Sequence, residues 1–476
     1  VVAVPAVVVA APASGSGKTT VATGLMGALR RAGHAVAPFK VGPDFIDPGY
    51  HALATGRPGR NLDPVLVGEA MIGPLYQHGS TGSDLAVVEG VMGLFDGRID
   101  AHGGVPARGS TAQVAGLLGA PVVLVVDARG QSQSVAALLH GFTTFDPGLQ
   151  PRVRIVGVIL NRVGSPRHAD VLRQACDHAG VAVFGAIPRA DELSVPSRHL
   201  GLVTAVEHGR LAQQAVEAMT ELVARHVDLA AVVRAAAAHV EDAPWDPAFA
   251  APVADGVTVA LAAGKAFSFG YPEHTELLTA AGAHVIPFDP LTEALPAATA
   301  ALVLPGGFPE QYGPELSANS VVRQQINALA ASGAPVHAEC AGLTYLVDDL
   351  DGLPMCGVLA GSAHFTERLT LGYRDAVAPV DSSLHQAGAR AVGHEFHRTA
   401  VTFTTPYESA WAFRGTAGTT VSDGAVHDGV HAAYLHTHAA AHPEAAARFV
   451  AAASRASNSA ASRASSSPAA TSKLAR

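Results

Sequence analysis

The chain has 476 residues, enough for two domains of ordinary size, and its 49% hydrophobic content supplies large buried cores. A formal charge of −9 argues against general binding to nucleic acid or to a membrane surface. Three cysteines, none in a CxxC pair, exclude a disulfide framework and weigh against structural zinc.

In chain order, apolar runs predict strands over Val1–Ala10, Ala35–Val41, Leu85–Val91, Pro121–Asp127, Val153–Leu160 and Val181–Ile187. Their continuous Val/Ile/Leu character suits a sheet covered on both faces. Helices are predicted over Lys18–Ala32, Thr111–Leu118 and Ser132–Phe142, and the alternation points to a doubly wound parallel α/β sheet. The first apolar run follows no basic region and leads straight into a glycine loop, so it reads as a buried strand rather than a signal peptide. No run of about 18 apolar residues marks a membrane span, and a cytoplasmic protein is expected. Gly209 to Val240 is Ala-rich and helical, and Glu241 to Ala254, with Pro244, Pro247 and Pro252, reads as a linker. Strands resume at Val257–Ala262, His284–Phe288, Ala300–Leu304 and Pro335–Ala338, with a last one at His431–His436. The expected organisation is therefore a first α/β domain (1–240), a linker (241–255), a second α/β domain (256–452) and a disordered Ser/Ala-rich tail (453–476).

Ala11 to Thr20 (APASGSGKTT), between the first strand and the first helix, has the composition of a phosphate-binding loop. Gly15 and Gly17 permit the tight bend, and backbone N–H groups up to Thr20 can then cradle phosphate oxygens at a helix N-terminus. Lys18 would reach the β- and γ-phosphates of ATP, and the Thr19 hydroxyl would ligate Mg²⁺. A Gly/Ser turn without a ligand is the competing reading, because Ala11 and Pro12 stand where a leading glycine is usual. Glu89, at the end of an apolar strand, is the best metal carboxylate. Asp44, Asp47 and Asp127 occupy comparable strand ends and read equally well as solvated loop acids.

Cys340 follows an apolar segment and precedes a short predicted helix, Leu343–Leu346, as in a nucleophile elbow. The N–H of Ala341 and a glycine of Pro305-Gly306-Gly307-Phe308, Gly307, are the candidate oxyanion donors. A lone cysteine is otherwise a small buried hydrophobe. His436 supplies the partner base that a thiol nucleophile needs. His436 and His438 share a face if the segment is extended, which leaves a zinc pair as the rival reading. His394 and His397 form a second, weaker pair.

Several motifs in order carry a family resemblance. They include Lys40-Val41-Gly42-Pro43-Asp44-Phe45-Ile46-Asp47-Pro48, Asn61-Leu62-Asp63, Val88-Glu89-Gly90-Val91-Met92-Gly93-Leu94-Phe95-Asp96-Gly97 and Gly157-Val158-Ile159-Leu160-Asn161-Arg162. In the second half they are Ala266-Phe267-Ser268-Phe269, Leu304-Pro305-Gly306-Gly307-Phe308-Pro309-Glu310 and Gly393-His394-Glu395-Phe396-His397. Over residues 1 to 450 the chain resembles the cobyrinate and hydrogenobyrinate a,c-diamide synthase family of cobalamin biosynthesis. The resemblance implies a P-loop, dethiobiotin-synthetase-like domain followed by a class I glutamine amidotransferase-like α/β domain. It implies amidation of the a and c carboxylates of a corrinoid acid with ATP and glutamine as co-substrates, Mg²⁺ as metal, and ammonia shielded in transit. Cys340 matches the family nucleophile and His436 its histidine. Asp44, Glu89 and Asp96 match acidic positions of the ATP, metal and corrinoid site, and Phe45 and Ile46 are placed for substrate contact. His438 stands where a triad-type enzyme carries its glutamate, which leaves His436 without an evident orienting carboxylate. Cobyric acid synthase, or a P-loop ATPase with an inert amidotransferase-like domain, are the alternatives. A homodimer is compatible with the sequence, and a nucleic-acid or membrane partner is not expected.

Overall fold

The computed structural model describes residues 3–99, 108–146, 148–149, 152–189, 197–198, 201–202, 204–249, 253, 256–415 and 418–466. The chain divides into two compact units, Val1–Asp246 and Pro247–Arg476.

The first unit is built on β1 (Ala6–Ala10), α1 (Lys18–Arg31), β2 (Val36–Val41), α2 (Asp47–Thr55), β3 (Arg60–Leu62), α3 (Ile72–Ser80), β4 (Leu85–Glu89), α4 (Thr111–Leu118), β5 (Val122–Asp127), α5 (Val135–Thr144), β6 (Ile155–Val163), α6 (Pro166–His178) and β7 (Val183–Pro188). The strands form one parallel sheet in the order β3-β2-β4-β1-β5-β6-β7. Every residue of β1, β2 and β4 is buried, which is why these strands are apolar rather than alternating, apart from Lys40 and Glu89 at their carboxyl ends. The order turns back on itself at β1, which lies between β4 and β5. In a parallel sheet all carboxyl ends open on one edge, and the turning point is where ligands bind. The loop after β1, the acids after β2, Glu89 at the end of β4, Asp127 at the end of β5 and Asn161 in β6 are thereby gathered on one edge. β4 stops at Glu89, two residues short of the expected end, and the three-residue β3 is too short and polar to announce itself.

The second unit holds two sheets. The first runs Ala283–Phe288, Val257–Ala262, Ala301–Leu304, Val336–Glu339, Val430–Ala433 and Ala425–His427, parallel except for the last pairing. The second is dominated by a long antiparallel pair, Leu359–Val377 with Arg390–Phe403, which strand–helix alternation does not predict. The expected strand His431–His436 is cut in two: Val430–Ala433 stays in the first sheet, while His436–Thr437 pairs with Arg390–Phe403. The break has a local cause. The buried Asp423 carboxylate accepts from the N–H groups of both Tyr434 and Leu435, satisfying them outside any ladder.

The tail departs from expectation as well. One helix runs from Pro443 through Ser466, so Ser454–Ser466 is helical where disorder was predicted; alanine's high helix propensity outweighs the serines. Residues 467–476 of that tail lie outside the described residues. Among the described residues no helix is long and apolar enough to cross a membrane.

Candidate active site

The glycine loop ends with Gly17, the residue before α1, at φ 88°, and Gly15 sits at φ 79°, both in the left-handed region that favours glycine. A Cβ at Gly17 would also lie 2.2 Å from Asn161 Nδ2. That amide donates to the Ser16 carbonyl (2.9 Å), and Arg162 Nη1 donates to the Gly15 carbonyl (2.7 Å) while pairing with Asp127 (2.6 Å). The loop is thus braced from the end of β6, a role that the sequence reading did not give Asn161 and Arg162. Lys18, in the first turn of α1 with Thr19 and Thr20, donates to the Met92 carbonyl at 2.8 Å.

Beside Lys18 lies a buried charge cluster. Thr19 Oγ1 donates to Glu89 Oε1 (2.6 Å) and lies 3.4 Å from Asp47 Oδ2. Lys40 Nζ is 2.6 Å from Asp47, 3.2 Å from Glu89 and 3.8 Å from Asp44. His51 Nε2 meets the second Glu89 oxygen at 2.6 Å. Asp44 has another duty: its Oδ1 accepts from the N–H groups of Ile46 and Asp47 (2.7 and 3.0 Å), fixing the turn into α2. Asn61 on β3 donates to the carbonyls of Gly42 and Asp44, holding the same loop. The structure therefore joins Thr19 and Glu89 as expected, but it is Asp47 rather than Asp44 that stands next to Thr19. Asp47 and His51 are four residues apart and so share one face of α2, a spacing that was readable in the sequence.

Burial opposes the charge on Lys40, yet Asp47, Glu89 and Asp44 outweigh it and hold its pKa above the ordinary lysine value. Burial likewise opposes the Glu89 carboxylate, but Lys40, His51 and Thr19 keep its pKa below the usual range. Asp47 goes the other way: burial, Asp44 and Glu89 raise its pKa well above normal. Asp44, Asp47 and Glu89 crowd their carboxyl groups together, and a bound cation would favour their charged forms. Thr19, Glu89 and Asp47 offer hard oxygens of the kind Mg²⁺ takes alongside phosphates and waters. Among the described residues, no group of three His, Cys, Asp or Glu side chains forms a metal cage of its own. Of the other expected substrate residues, Asp96 accepts from the Gly93 N–H at 3.0 Å, Phe45 is half-buried and Ile46 is buried.

In the second unit Cys340 ends the strand Val336–Glu339 and opens the helix Ala341–Leu346, at φ 50° and ψ −100°. A non-glycine residue held there is strained, as a nucleophile elbow requires. Its N–H donates to the Ala433 carbonyl (2.7 Å), and its thiol lies 3.8 Å from the Phe396 carbonyl. His436 is fully buried and couples electrostatically to Cys340. Burial disfavours the imidazolium, but Cys340 and Glu339 outweigh it and push the His436 pKa up to about 10. Gly306 makes room for the ring: a Cβ there would sit 2.3 Å from His436 Cε1. Gly307 packs equally close to the Ala266 carbonyl.

The missing carboxylate is found next to the nucleophile. Glu339 Oε2 lies 3.5 Å from His436 Nδ1, although the sequence reading saw no carboxylate for this histidine. His438 turns elsewhere: its Nδ1 accepts from the Ala440 N–H, its ring packs on Tyr271 (4.2 Å), and its Nε2 is 3.9 Å from Glu273. His397 stacks on Tyr434 (3.8 Å) and donates from Nδ1 to the Thr399 carbonyl, so it is tied into the packing beside the nucleophile.

Comparison with known proteins matches residues 7–203 to the CobQ/CobB/MinD/ParA nucleotide binding domain and residues 258–444 to the CobB/CobQ-like glutamine amidotransferase domain. Hydrogenobyrinate a,c-diamide synthase of Mycobacterium tuberculosis is 70% identical over 453 residues, covering 95% of this chain and 98% of the relative. The Streptomyces coelicolor protein of the same name is 55% identical, covering 94% and 97%. Cobyrinate a,c-diamide synthase of Gloeobacter violaceus is 41% identical, covering 94% and 96%.

Proposed function

Because the chain belongs to the hydrogenobyrinate and cobyrinate a,c-diamide synthase family, glutamine-dependent ligases of cobalamin biosynthesis, we propose that it amidates the a and c carboxylates of hydrogenobyrinate at the expense of ATP and glutamine. The cobalt-free acid is chosen because the relatives at 70% and 55% identity bear its name. The observation that carries the reading is the pairing, in one chain, of a Thr19–Glu89 contact beside a phosphate loop with a strained Cys340 elbow electrostatically coupled to the buried His436.

A carboxylate is a poor electrophile, and phosphorylation cures this. Backbone N–H groups from Gly15 to Thr20, with Lys18, would hold the ATP phosphates, and Thr19, Glu89 and Asp47 would hold Mg²⁺, with Asp44 close by. Mg²⁺, when bound, neutralises charge on the phosphate oxygens. Asp96, Asp44 and Phe45 border the corrinoid site, and Ile46, being buried, faces the core rather than substrate. The substrate carboxylate takes the γ-phosphoryl group, giving an acyl phosphate and ADP.

Nitrogen comes from the second unit. The Cys340 thiolate attacks the glutamine side-chain amide, the N–H groups of Gly307 and Ala341 stabilise the oxyanion, and His436 gives its proton to the departing ammonia. Water then hydrolyses the thioester to glutamate, and ammonia displaces phosphate from the acyl phosphate. These steps need ATP and glutamine in supply, as in the cytoplasm. The reading is tested by incubating purified protein with ATP, Mg²⁺, glutamine and either hydrogenobyrinate or cobyrinate and weighing the products by mass spectrometry. Diamide formed from hydrogenobyrinate in preference to cobyrinate is expected; a product amidated at other positions, or none, would overturn it.

A further inference from the structure

Glu339 immediately precedes the nucleophile, a position from which a triad carboxylate is not ordinarily drawn. The sheet explains how it reaches. Val336–Glu339 pairs in parallel with Val430–Ala433, with Glu339 opposite Ala433, so its side chain lies beside the segment that continues to His436 and Thr437. One carboxylate oxygen is anchored there: Oε1 accepts from the Thr437 N–H (3.1 Å) and hydroxyl (3.2 Å), and His337 Nε2 approaches to 3.5 Å. The second oxygen, Oε2, is left to face His436 Nδ1. We propose that Glu339 is the positioning residue of the glutamine-cleaving site, fixing the His436 ring and tautomer and compensating its charge in place of the position that His438 occupies.

The surroundings support an ionised Glu339 beside His436. Five further histidines stand around it: His274, His337, His385, His431 and His442. Burial holds His274 near pKa 4, His385 near 3 and His431 well below normal, so these three rings are neutral and do not compete for its charge. Glu339 itself titrates well below the ordinary range: burial opposes its charge, and His337 and His436 outweigh burial. A cavity of about 30 Å³ beside it, lined by His274, His337, His385, His442 and Thr437, is large enough for water, which needs roughly 10–15 Å³. With Nδ1 facing Glu339, the other ring nitrogen is left for the sulfur, the arrangement in which an imidazolium can stabilise a thiolate. On the opposite side, the strand neighbour His394 has its pKa held near 3 by burial, His436 and Arg374, so it adds no second positive charge.

This inference rests on the reading of Cys340 and His436 as the glutamine-cleaving pair, and the test separates the two. Glu339→Gln keeps the shape and removes the charge. Glutamine-dependent kcat should fall by roughly a hundredfold with little change in KM for glutamine, while amidation with added ammonium chloride stays at the wild-type rate. The acid limb of Cys340 alkylation by iodoacetamide should move to higher pH, because without Glu339 the thiolate–imidazolium pair is less favoured. Thr437→Val, which removes one donor to Glu339 and leaves the backbone N–H, should give a smaller change in the same direction. Wild-type kcat and an unshifted alkylation profile in Glu339→Gln, with Cys340→Ala inactive toward glutamine, would overturn the inference alone. Parallel loss of glutamine- and ammonia-dependent activity would also overturn it, by reducing Glu339 to a structural role. Glutamine-dependent activity surviving in Cys340→Ala would instead overturn the underlying reading.

Discussion

The two units each bury a cluster of charged groups, and they balance the charge in opposite ways. Around Lys40 the carboxylates of Asp44, Asp47 and Glu89 outnumber the ammonium, and Asp47 is driven towards its neutral form. Around His436 the charge is met from within: the imidazolium lies between Cys340 and Glu339, and burial keeps His274 and His431 neutral. Crowded carboxyl groups favour a cation and its phosphates, whereas a thiol, an imidazole and one carboxylate suit a neutral amide. The first suits an ATP site and the second an amidase.

Substitutions that act on one cluster only are the sharpest way to break that contrast. Cys340→Ala should abolish glutamine-dependent amidation, a loss of at least about a thousandfold, and spare amidation with ammonium chloride in a product-mass assay. Glu89→Gln should do the reverse, lowering amidation by roughly a hundredfold or more with either nitrogen source while Cys340 alkylation by iodoacetamide is unchanged. Gly306→Ala places a methyl against the His436 ring, so glutamine-dependent kcat should drop by about tenfold to a hundredfold with ammonia-dependent turnover intact.

The pH dependence of stability tests the neutral histidines. His274, His385 and His394 have folded pKa values of about 4, 3 and 3, below the unfolded value near 6.5, because burial disfavours their charged forms. Between those values the unfolded chain binds more protons, so stability is full above about pH 6.5 and is lost as pH falls towards 4. Thermal denaturation from pH 7.5 to 5 should show Tm falling below pH 6.5, and less so in His385→Phe. As the smallest effect, Ser165→Ala removes the cap on the first turn of α6 and should cost about 1 kcal/mol by denaturant titration, with both activities unaltered.

Much of the first unit was readable because parallel, doubly covered strands must be apolar end to end, and because a phosphate loop is a contiguous stretch. The strand ends Glu89 and Asp127 follow from the same logic. What escaped depended on contacts across the sheet: Asn161 bracing the loop from β6, and Lys40 gathering acids from two strand ends. In the second unit Cys340 and His436 were legible as residue types at strand ends, but Glu339 was not. Its role arises from register with Ala433, and a search for a carboxylate two residues after the histidine looks in the wrong strand. The long antiparallel pair Leu359–Val377 and Arg390–Phe403 was missed because its burial pattern is mixed, with exposed Phe365 and Leu371, so no clean alternation marks it.

The division of labour between the units is tested most directly by following the nitrogen. Wild-type protein given hydrogenobyrinate, ATP, Mg²⁺ and glutamine labelled with ¹⁵N at the side-chain amide should yield diamide carrying ¹⁵N in both new amides. Cys340→Ala with the same glutamine and unlabelled ammonium chloride should yield diamide without label. Labelled product from Cys340→Ala, or unlabelled product from the wild-type protein, would contradict the account.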